Sequence, residues 1–123
     1  MPSLFAIAVI GQRGQLVTPA DTPWFREMTW GHRLMLGAGL AGRLPFMPGR
    51  FFTLVDLDPE RETSEMMREY VRNTATENVF LIGGAETFAK FACVVDRWYI
   101  DKTGFDGPSD EWFSPMWLVA ESE

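Results

Sequence analysis

An acidic residue lies in an unusually apolar setting in the segment TPADTPWFREMT, residues 18–29. Asp21 is followed closely by Pro23, Trp24 and Phe25. One interpretation is that Asp21 caps a helix, because aspartate is a preferred N-cap and proline is tolerated in a first helical turn. The other is a carboxylate in an apolar pocket, where burial raises its pKa and it grips a cationic or donor-rich ring or passes a proton. The two interpretations are compatible.

Two further segments have residue types suited to holding an anion. In LIGGAETF, residues 81–88, Gly83 and Gly84 separate an apolar run from a helical pattern, so backbone N–H groups could meet a pyrophosphate there. This is not the GxGxxG fingerprint, and tight packing is the commoner reason for such a turn. Arg50 ends GRLPFMPGR, residues 42–50, and is either a solvated charge or a bidentate clamp for a substrate carboxylate.

Composition excludes several classes of protein. The chain has 123 residues, 46% of them hydrophobic, which predicts one folded domain. A net charge of −6 argues against nucleic acid as a partner, because phosphate binding needs clustered Lys and Arg. The single cysteine excludes an internal disulfide. No apolar run is long enough to span a bilayer, and the first apolar run lacks the basic flank of a signal peptide. We therefore expect a cytoplasmic protein without a membrane partner.

Apolar runs ended by glycine or polar residues predict five strands, at residues 3–11, 32–37, 50–57, 78–84 and 96–103. A sixth strand is expected within residues 111–122, interrupted by Pro115. Helical patterns cover residues 21–29, 63–73, with Thr63 as N-cap, and 85–93. The glycine-rich segment 38–50 has room for one short helical turn.

Alternating strands and helices predict an α/β fold with a central, mostly parallel sheet flanked by helices on both faces. In such sheets ligands bind at the carboxyl ends of the strands. Gly11, Gly37, Gly83 and Gly84 all fall at predicted strand ends, where they leave room for a ligand to approach the backbone.

The ordered set of segments resembles the dihydrofolate reductase family over roughly residues 1–105. The segments that carry the likeness are SLFAIAV, PADTPWFREMT, RLMLG, LPFMPGR, VFLIGGAETFAKF and DRWYID. The resemblance implies a single dihydrofolate-reductase-like domain over residues 1–123. It also implies reduction of 7,8-dihydrofolate to tetrahydrofolate by hydride transfer from a nicotinamide cofactor, NADPH or NADH.

The resemblance assigns roles to individual residues. It makes Asp21 the catalytic carboxylate, which hydrogen-bonds the 2-amino group and N3 of the pterin and assists protonation of N5. Phe25 packs on the pterin and benzoyl rings, and Arg50 binds the glutamate α-carboxylate of the substrate. The other implied substrate residues are Phe5, Ala6, Ile7 and Ile82. The implied cofactor residues are Ile7, Gly37, Ala38, Gly39, Leu40, Ile82, Gly83, Gly84, Ala85, Glu86, Thr87 and Phe88. No metal site is predicted.

The chain departs from the family pattern around the cofactor. The loop at residues 11–18 lacks the Met-Pro-Trp segment that closes over the nicotinamide, which predicts an open site and slow turnover. Ala38 stands where the family has an arginine for the 2′-phosphate of NADPH, and Asp56 would repel that phosphate. Arg43 or Arg61 could compensate. Use of NADH is therefore a hypothesis alongside use of NADPH.

Two expectations concern the rest of the sheet. Asp101 occupies the position of a threonine that bonds the catalytic carboxylate in the family, and a second acid there would raise the pKa of Asp21. The family's final hairpin is expected to be incomplete, which would leave an exposed edge strand near Trp112, Phe113 and Trp117 and favour a homodimer.

Two other functions remain open. The first is a pterin- or nucleotide-binding descendant of the fold that has little or no activity and has a structural role. The second is a reductase of another pterin or pyrimidine, which would not need Arg50 as a glutamate clamp.

Overall fold

The computed structural model describes residues 3–55, 64–73 and 78–120. The described strands are β1 Leu4–Ile10, β2 Arg33–Leu36, β3 Phe51–Leu54, β4 Val79–Gly83 and β5 Arg97–Lys102. The described helices are α1 Pro23–Thr29, α2 Ala38–Ala41, α3 Ser64–Asn73, α4 Ala85–Phe91 and α5 Met116–Ala120, with a 3₁₀ turn, Ala92–Val94, after α4. Within these ranges no helix is both long and apolar enough to cross a membrane.

The five strands form one sheet in the order β3-β2-β4-β1-β5, and every pair of neighbours is parallel. This confirms the predicted α/β fold with a mostly parallel central sheet. Because all strands run the same way, their carboxyl ends share one edge of the sheet. Gly11, Gly37 and Gly84 follow directly after β1, β2 and β4 at that edge.

Strand β1 is buried on both faces of the sheet, as its continuous apolar run predicts. Leu4, Ala6 and Ala8 pack into one apolar cluster, which includes residues of α3 and α4. Phe5 and Ile7, on the alternate positions, face a second cluster, which includes residues of α1 and α2. The second cluster therefore packs against α1, the helix that begins two residues after Asp21.

The N-cap of α1 is Thr22 and not Asp21, which corrects the capping interpretation. The Thr22 hydroxyl accepts a hydrogen bond of 3.2 Å from the backbone N–H of Phe25. Asp21 lies one residue before the cap, and its carboxylate is occupied by arginine side chains. The predicted helix at residues 63–73 is confirmed from Ser64 onward, while Thr63 lies outside the described residues.

The predicted strand at residues 111–122 is wrong, because α5 covers Met116–Ala120. Phe113 and Trp117 pack together with their ring centroids 5.2 Å apart. Trp117 also stacks on Trp98 of β5, with ring centroids 6.0 Å apart. These contacts place the aromatic rings over one face of the sheet. A sixth strand would instead have been added at the edge of the sheet.

This packing weakens the argument for a homodimer. Phe113 and Trp117 are half-buried within the chain, and Trp112 alone of the three is exposed. The homodimer stays a prediction, which sedimentation velocity would test.

Candidate functional site

The carboxylate of Asp21 is held by two arginines. Arg50 donates two hydrogen bonds of 2.8 Å in a bidentate arrangement, from Nη1 to Oδ1 and from Nη2 to Oδ2. Arg26 of α1 donates to Oδ2 as well, from Nη2 at 3.0 Å and from Nε at 3.3 Å. The structure thus joins Asp21 and Arg50, which the resemblance assigns to opposite ends of a substrate, in one ion pair.

Arg50 is the buried member of this cluster. Its side chain is 0% exposed, against 12% for Asp21 and 52% for Arg26. The turn before β3 brings it there: Gly49 has a φ of +84°, and a Cβ on it would lie 2.4 Å from the ring of Trp30. Trp30 in turn lies over the Arg50 guanidinium, 5.4 Å from ring centroid to Cζ. A glycine at position 49 is therefore needed to seat Trp30 over the buried cation.

The pKa of Asp21 is lowered from its ordinary value of 3.8. The main cause is the hydrogen bonding from Arg50, and Arg26 lowers it further, while burial acts in the opposite direction. This corrects the expectation that burial would raise the pKa. Asp101, on β5, is not among the groups that shift the pKa, so the expected coupling between the two acids is absent from the described residues. Asp21 is ionised at neutral pH.

The Asp21 carboxylate has little acceptor capacity left. A carboxylate offers about four lone-pair positions. Three donors already point at Oδ2 and one at Oδ1. A ring that presents two donors to this carboxylate must therefore displace Arg26, the exposed partner, or Arg50, the buried one.

Several predicted substrate residues lie in the second cluster, the one that includes Phe25 of α1. Ile7, Phe25 and Ile82 are buried members of it, at most 2% exposed, and Phe5 is partly buried and packs against it. The structure does not bring the side chain of Ala6 to this face, because alternate residues of β1 point to opposite sides of the sheet. An Ala6 contribution to the site is therefore limited to its backbone.

A cavity at the carboxyl edge of the sheet brings together five of the predicted cofactor residues: Leu40, Ile82, Gly83, Gly84 and Phe88. Val9, Leu16, Val17, Thr18, Pro19, Arg43 and Glu111 complete its lining. Six of the other predicted cofactor residues lie in α2, α4 and the turns before them: Gly37, Ala38, Gly39, Ala85, Glu86 and Thr87. The remaining one, Ile7 of β1, does not line this cavity and is buried in the second cluster. Asp56 and Arg61 lie outside the described residues.

Glycine lets the backbone turns of this cavity pack closely. The backbone N–H of Gly37 donates to the carbonyl of Gly83 at 2.8 Å, which joins the ends of β2 and β4. A Cβ on Gly37 would lie 2.7 Å from Thr87 Oγ1, and one on Gly84 would lie 2.9 Å from Glu111 Oε1. A cradle of bare backbone next to an apolar wall suits a dinucleotide, whose phosphates and ring need those two surfaces.

The short loop after β1 is held by the segment before α5. Leu16 N–H donates to the Glu111 carbonyl at 2.9 Å, and Phe113 N–H donates to the Gly14 carbonyl at 2.9 Å. Gln15 is 0% exposed, and its side-chain amide donates to the Gly107 carbonyl at 3.0 Å. These contacts fix the loop against the body of the protein, whereas the sequence predicted only an open site.

Three residues of the site were missed from the sequence: Gln15, Arg26 and Glu111. Arg26 carried a local signal, since it lies five residues after Asp21 and near it on the first helical turns. Gln15 and Glu111 carried no such sequence signal, because a polar residue in a polar loop has no distinguishing pattern. No group of residues suited to a metal ion occurs in the described part of the chain.

The lowered pKa predicts how the stability depends on pH. Because the folded-state pKa of Asp21 is below its unfolded value, the ion pair contributes fully above pH 3.8, and the contribution is lost as the pH falls through the folded-state pKa. We expect the difference in unfolding free energy between the native chain and Asp21→Asn to be constant near neutral pH and to shrink below pH 3.8. Urea denaturation at a series of pH values measures it, and a difference that grows on acidification would contradict it.

Comparison with known proteins gives likenesses to a family profile, to a named reductase and to solved structures. The sequence profile of the family described as dihydrofolate reductase matches residues 6–119. A dihydromethanopterin reductase of Methylorubrum extorquens is 26% identical over 127 residues, which cover 92% of this chain and 91% of that protein. A dihydrofolate reductase from Enterococcus faecalis, complexed with NADP(H) and RAB-propyl, superposes with a TM-score of 0.69 at 21% identity, over 91% of this chain and 77% of that chain.

Proposed function

The chain belongs to the dihydrofolate reductase family, and from this premise we propose that it is a nicotinamide-dependent reductase of a dihydropterin. The observation that carries the proposal is the ionised Asp21 carboxylate, held by Arg50 just before α1, the helix whose Phe25 packs with Ile7 and Ile82 in the second cluster. A pterin presents a 2-amino group and a ring N–H side by side, and an ionised carboxylate is the acceptor that such a pair of donors fits.

Asp21 acts in this proposal as an acceptor and as a fixed negative charge. Its lowered pKa means that it does not carry a proton at neutral pH. It therefore orients the pterin and stabilises positive charge that develops when the ring is protonated at N5, and the proton itself comes from solvent. Phe25 and Ile82 supply the apolar surface that keeps the ring against the sheet. A bound nicotinamide would supply the hydride for C6 of the pterin.

The state of Arg50 bears on which dihydropterin is reduced. If the substrate is dihydrofolate, Arg50 binds the glutamate α-carboxylate, and this buried guanidinium must first leave Asp21. Separating a buried ion pair is unfavourable, because both charges need new partners. We infer that a dihydropterin whose tail makes no demand on Arg50 is the better substrate. Dihydromethanopterin, the substrate in the name of the Methylorubrum relative, is the first candidate, and dihydrofolate is the second.

The cofactor in this proposal is NADPH or NADH, held by the cradle at Gly37, Gly83 and Gly84. Ala38, which begins α2, is exposed and carries no charge for a 2′-phosphate. We therefore propose that the chain accepts both cofactors and discriminates weakly between them.

The test is the decrease in nicotinamide absorbance with each dihydropterin and each cofactor in turn. We expect higher kcat/KM with dihydromethanopterin than with dihydrofolate, and values for NADH and NADPH that agree within about tenfold, which corresponds to about 1.4 kcal/mol. A preference for dihydrofolate that is lost in Arg50→Ala would show that Arg50 is a glutamate clamp and would overturn the substrate assignment. Binding of a dihydropterin without turnover would identify the chain as a binding descendant of the fold.

A further inference from the structure

The side chain of Glu111 lies directly against the backbone turn of the cofactor cradle. A Cβ on Gly84 would lie 2.9 Å from its Oε1 and 3.2 Å from its Oε2, so the carboxylate touches the turn with both oxygens. Glu111 also lines the cavity formed by Leu40, Ile82 and Phe88. A negative charge therefore lies at the turn where the proposed function needs room for a dinucleotide.

The backbone of Glu111 is fixed in this position. Its N–H donates to Ser109 Oγ at 3.1 Å, and its carbonyl accepts from Ser109 Oγ at 2.7 Å and from the N–H of Leu16 at 2.9 Å. The carboxylate itself has one ion-pair contact in the described residues, with Arg43 Nη2 at 3.7 Å from Oε1. That distance is too long for a hydrogen bond, and the side chain is 37% exposed. The residue is anchored, whereas its charged end is free to leave the turn.

The cavity behind Glu111 is too small for a nicotinamide ring. It holds about 20 Å³, which is room for one water molecule. A second cavity outside it holds about 330 Å³ and shares Leu16, Val17, Thr18, Arg43 and Glu111 with the first. Glu111 and Arg43 therefore line both cavities. A nicotinamide ring fits the inner cavity only if side chains that line it move.

We propose that Glu111 lowers the affinity of the cofactor site for dinucleotides by competing with the cofactor pyrophosphate for the Gly84 turn and for Arg43. In the free protein the Glu111 carboxylate lies against the Gly84 turn and forms an ion pair with Arg43. When a dinucleotide binds, Glu111 swings toward solvent and the Arg43 guanidinium pairs with a phosphate. Like charges at contact distance oppose each other, so every cofactor with a pyrophosphate must overcome this carboxylate. The inference rests on the proposed function, because it assumes a dinucleotide at this turn.

The test is cofactor affinity without any pterin present, measured by the quenching of tryptophan fluorescence in the full chain. We expect Glu111→Gln to bind NADH and NADPH about tenfold more tightly than the native chain, because the amide keeps the shape and removes the charge. Asp110→Asn is the matched control, since it removes the same charge from an exposed neighbouring residue. Arg43→Gln should weaken binding of both cofactors. Reduced nicotinamide riboside, which has no phosphate, should bind equally well to the native chain and to Glu111→Gln.

Each other outcome overturns the inference. Weaker binding in Glu111→Gln would mean that the carboxylate accepts hydrogen bonds from the cofactor, and unchanged binding would mean that it moves away without effect. An equal gain for the riboside would mean that the side chain excludes the ring by size and not the phosphates by charge. If neither the native chain nor Glu111→Gln binds NADH or NADPH while both are folded, the proposed function fails and the inference fails with it.

Discussion

Replacing Asp21 by asparagine should lower kcat/KM for the dihydropterin by about 10²–10³-fold, which is the usual effect of removing one catalytic charge or hydrogen-bonding group. Asparagine keeps the shape of the side chain and one oxygen acceptor. It loses the negative charge that orients the two pterin donors and stabilises the protonated ring. Steady-state kinetics with the better of the two dihydropterins measures the effect.

The control for this substitution is Asp101→Asn. Asp101 is an aspartate of β5 for which the sequence predicted coupling to Asp21, but it is not among the groups that shift the pKa of Asp21. We expect it to change kcat/KM by less than about threefold, a difference below 1 kcal/mol. Circular dichroism of both variants establishes that they are folded. Equal activity of Asp21→Asn and the native chain would show that the carboxylate does not act on the substrate.

Replacing Arg50 by methionine should lower the free energy of unfolding by about 3 kcal/mol, because removing one partner of a buried ion pair leaves the other charge without compensation. Arg26→Met is the matched control. It removes a second guanidinium from the same carboxylate, but Arg26 is half exposed, so its loss should lower the free energy of unfolding by less than about 1 kcal/mol. Urea denaturation at neutral pH measures both variants.

The double variant Asp21→Asn/Arg50→Met separates the ion pair from other effects of the substitution. If the bidentate contact stabilises the fold, removing Arg50 in the Asp21→Asn background should have a much smaller effect than in the native chain. Additive effects of the two substitutions would contradict the pairing. Arg50→Met should also raise the pKa of Asp21, since the guanidinium is the main cause of its lowering. The acid limb of the pH–rate profile, where activity is lost as Asp21 is protonated, should then move to higher pH.

The strands were predictable because each is an apolar run with a clear end. The run at 3–11 became β1, Leu4–Ile10, and the run at 78–84 became β4, Val79–Gly83. In these segments the continuous apolar pattern, the length of the run and the glycine at its end all indicate a strand. The family resemblance, taken from residues 1–105, also held, since the family profile extends over residues 6–119.

The error at the C-terminus has a local cause. The run MWLVA is rich in residues that favour strands, and that preference decided the prediction. The preceding Ser114-Pro115 pair is a signal for the start of a helix, because serine is a good N-cap and proline suits the first turn. In the structure, Met116 N–H donates to Ser114 Oγ at 3.3 Å, so the cap signal was the informative one.

The arrangement of the charged groups could not be predicted from local pattern. Asp21 and Arg50 were both identified as ligand-binding residues, but their pairing joins positions 29 residues apart and depends on how β3 lies beside β2. The same holds for Glu111, which reaches the Gly84 turn because residues 105–113 fold back on the loop after β1. Residue types indicate which groups can do chemistry, whereas the topology decides which of them meet.

The role of Asp21 in dihydropterin reduction is best measured by nicotinamide oxidation on addition of a dihydropterin, with the native chain, Asp21→Asn and Asp101→Asn assayed side by side. We expect turnover by the native chain with dihydromethanopterin or dihydrofolate, near-native turnover by Asp101→Asn, and a loss of at least about 10²-fold in Asp21→Asn. A folded native chain that turns over neither dihydropterin with either cofactor, or an Asp21→Asn variant as active as the native chain, would contradict it.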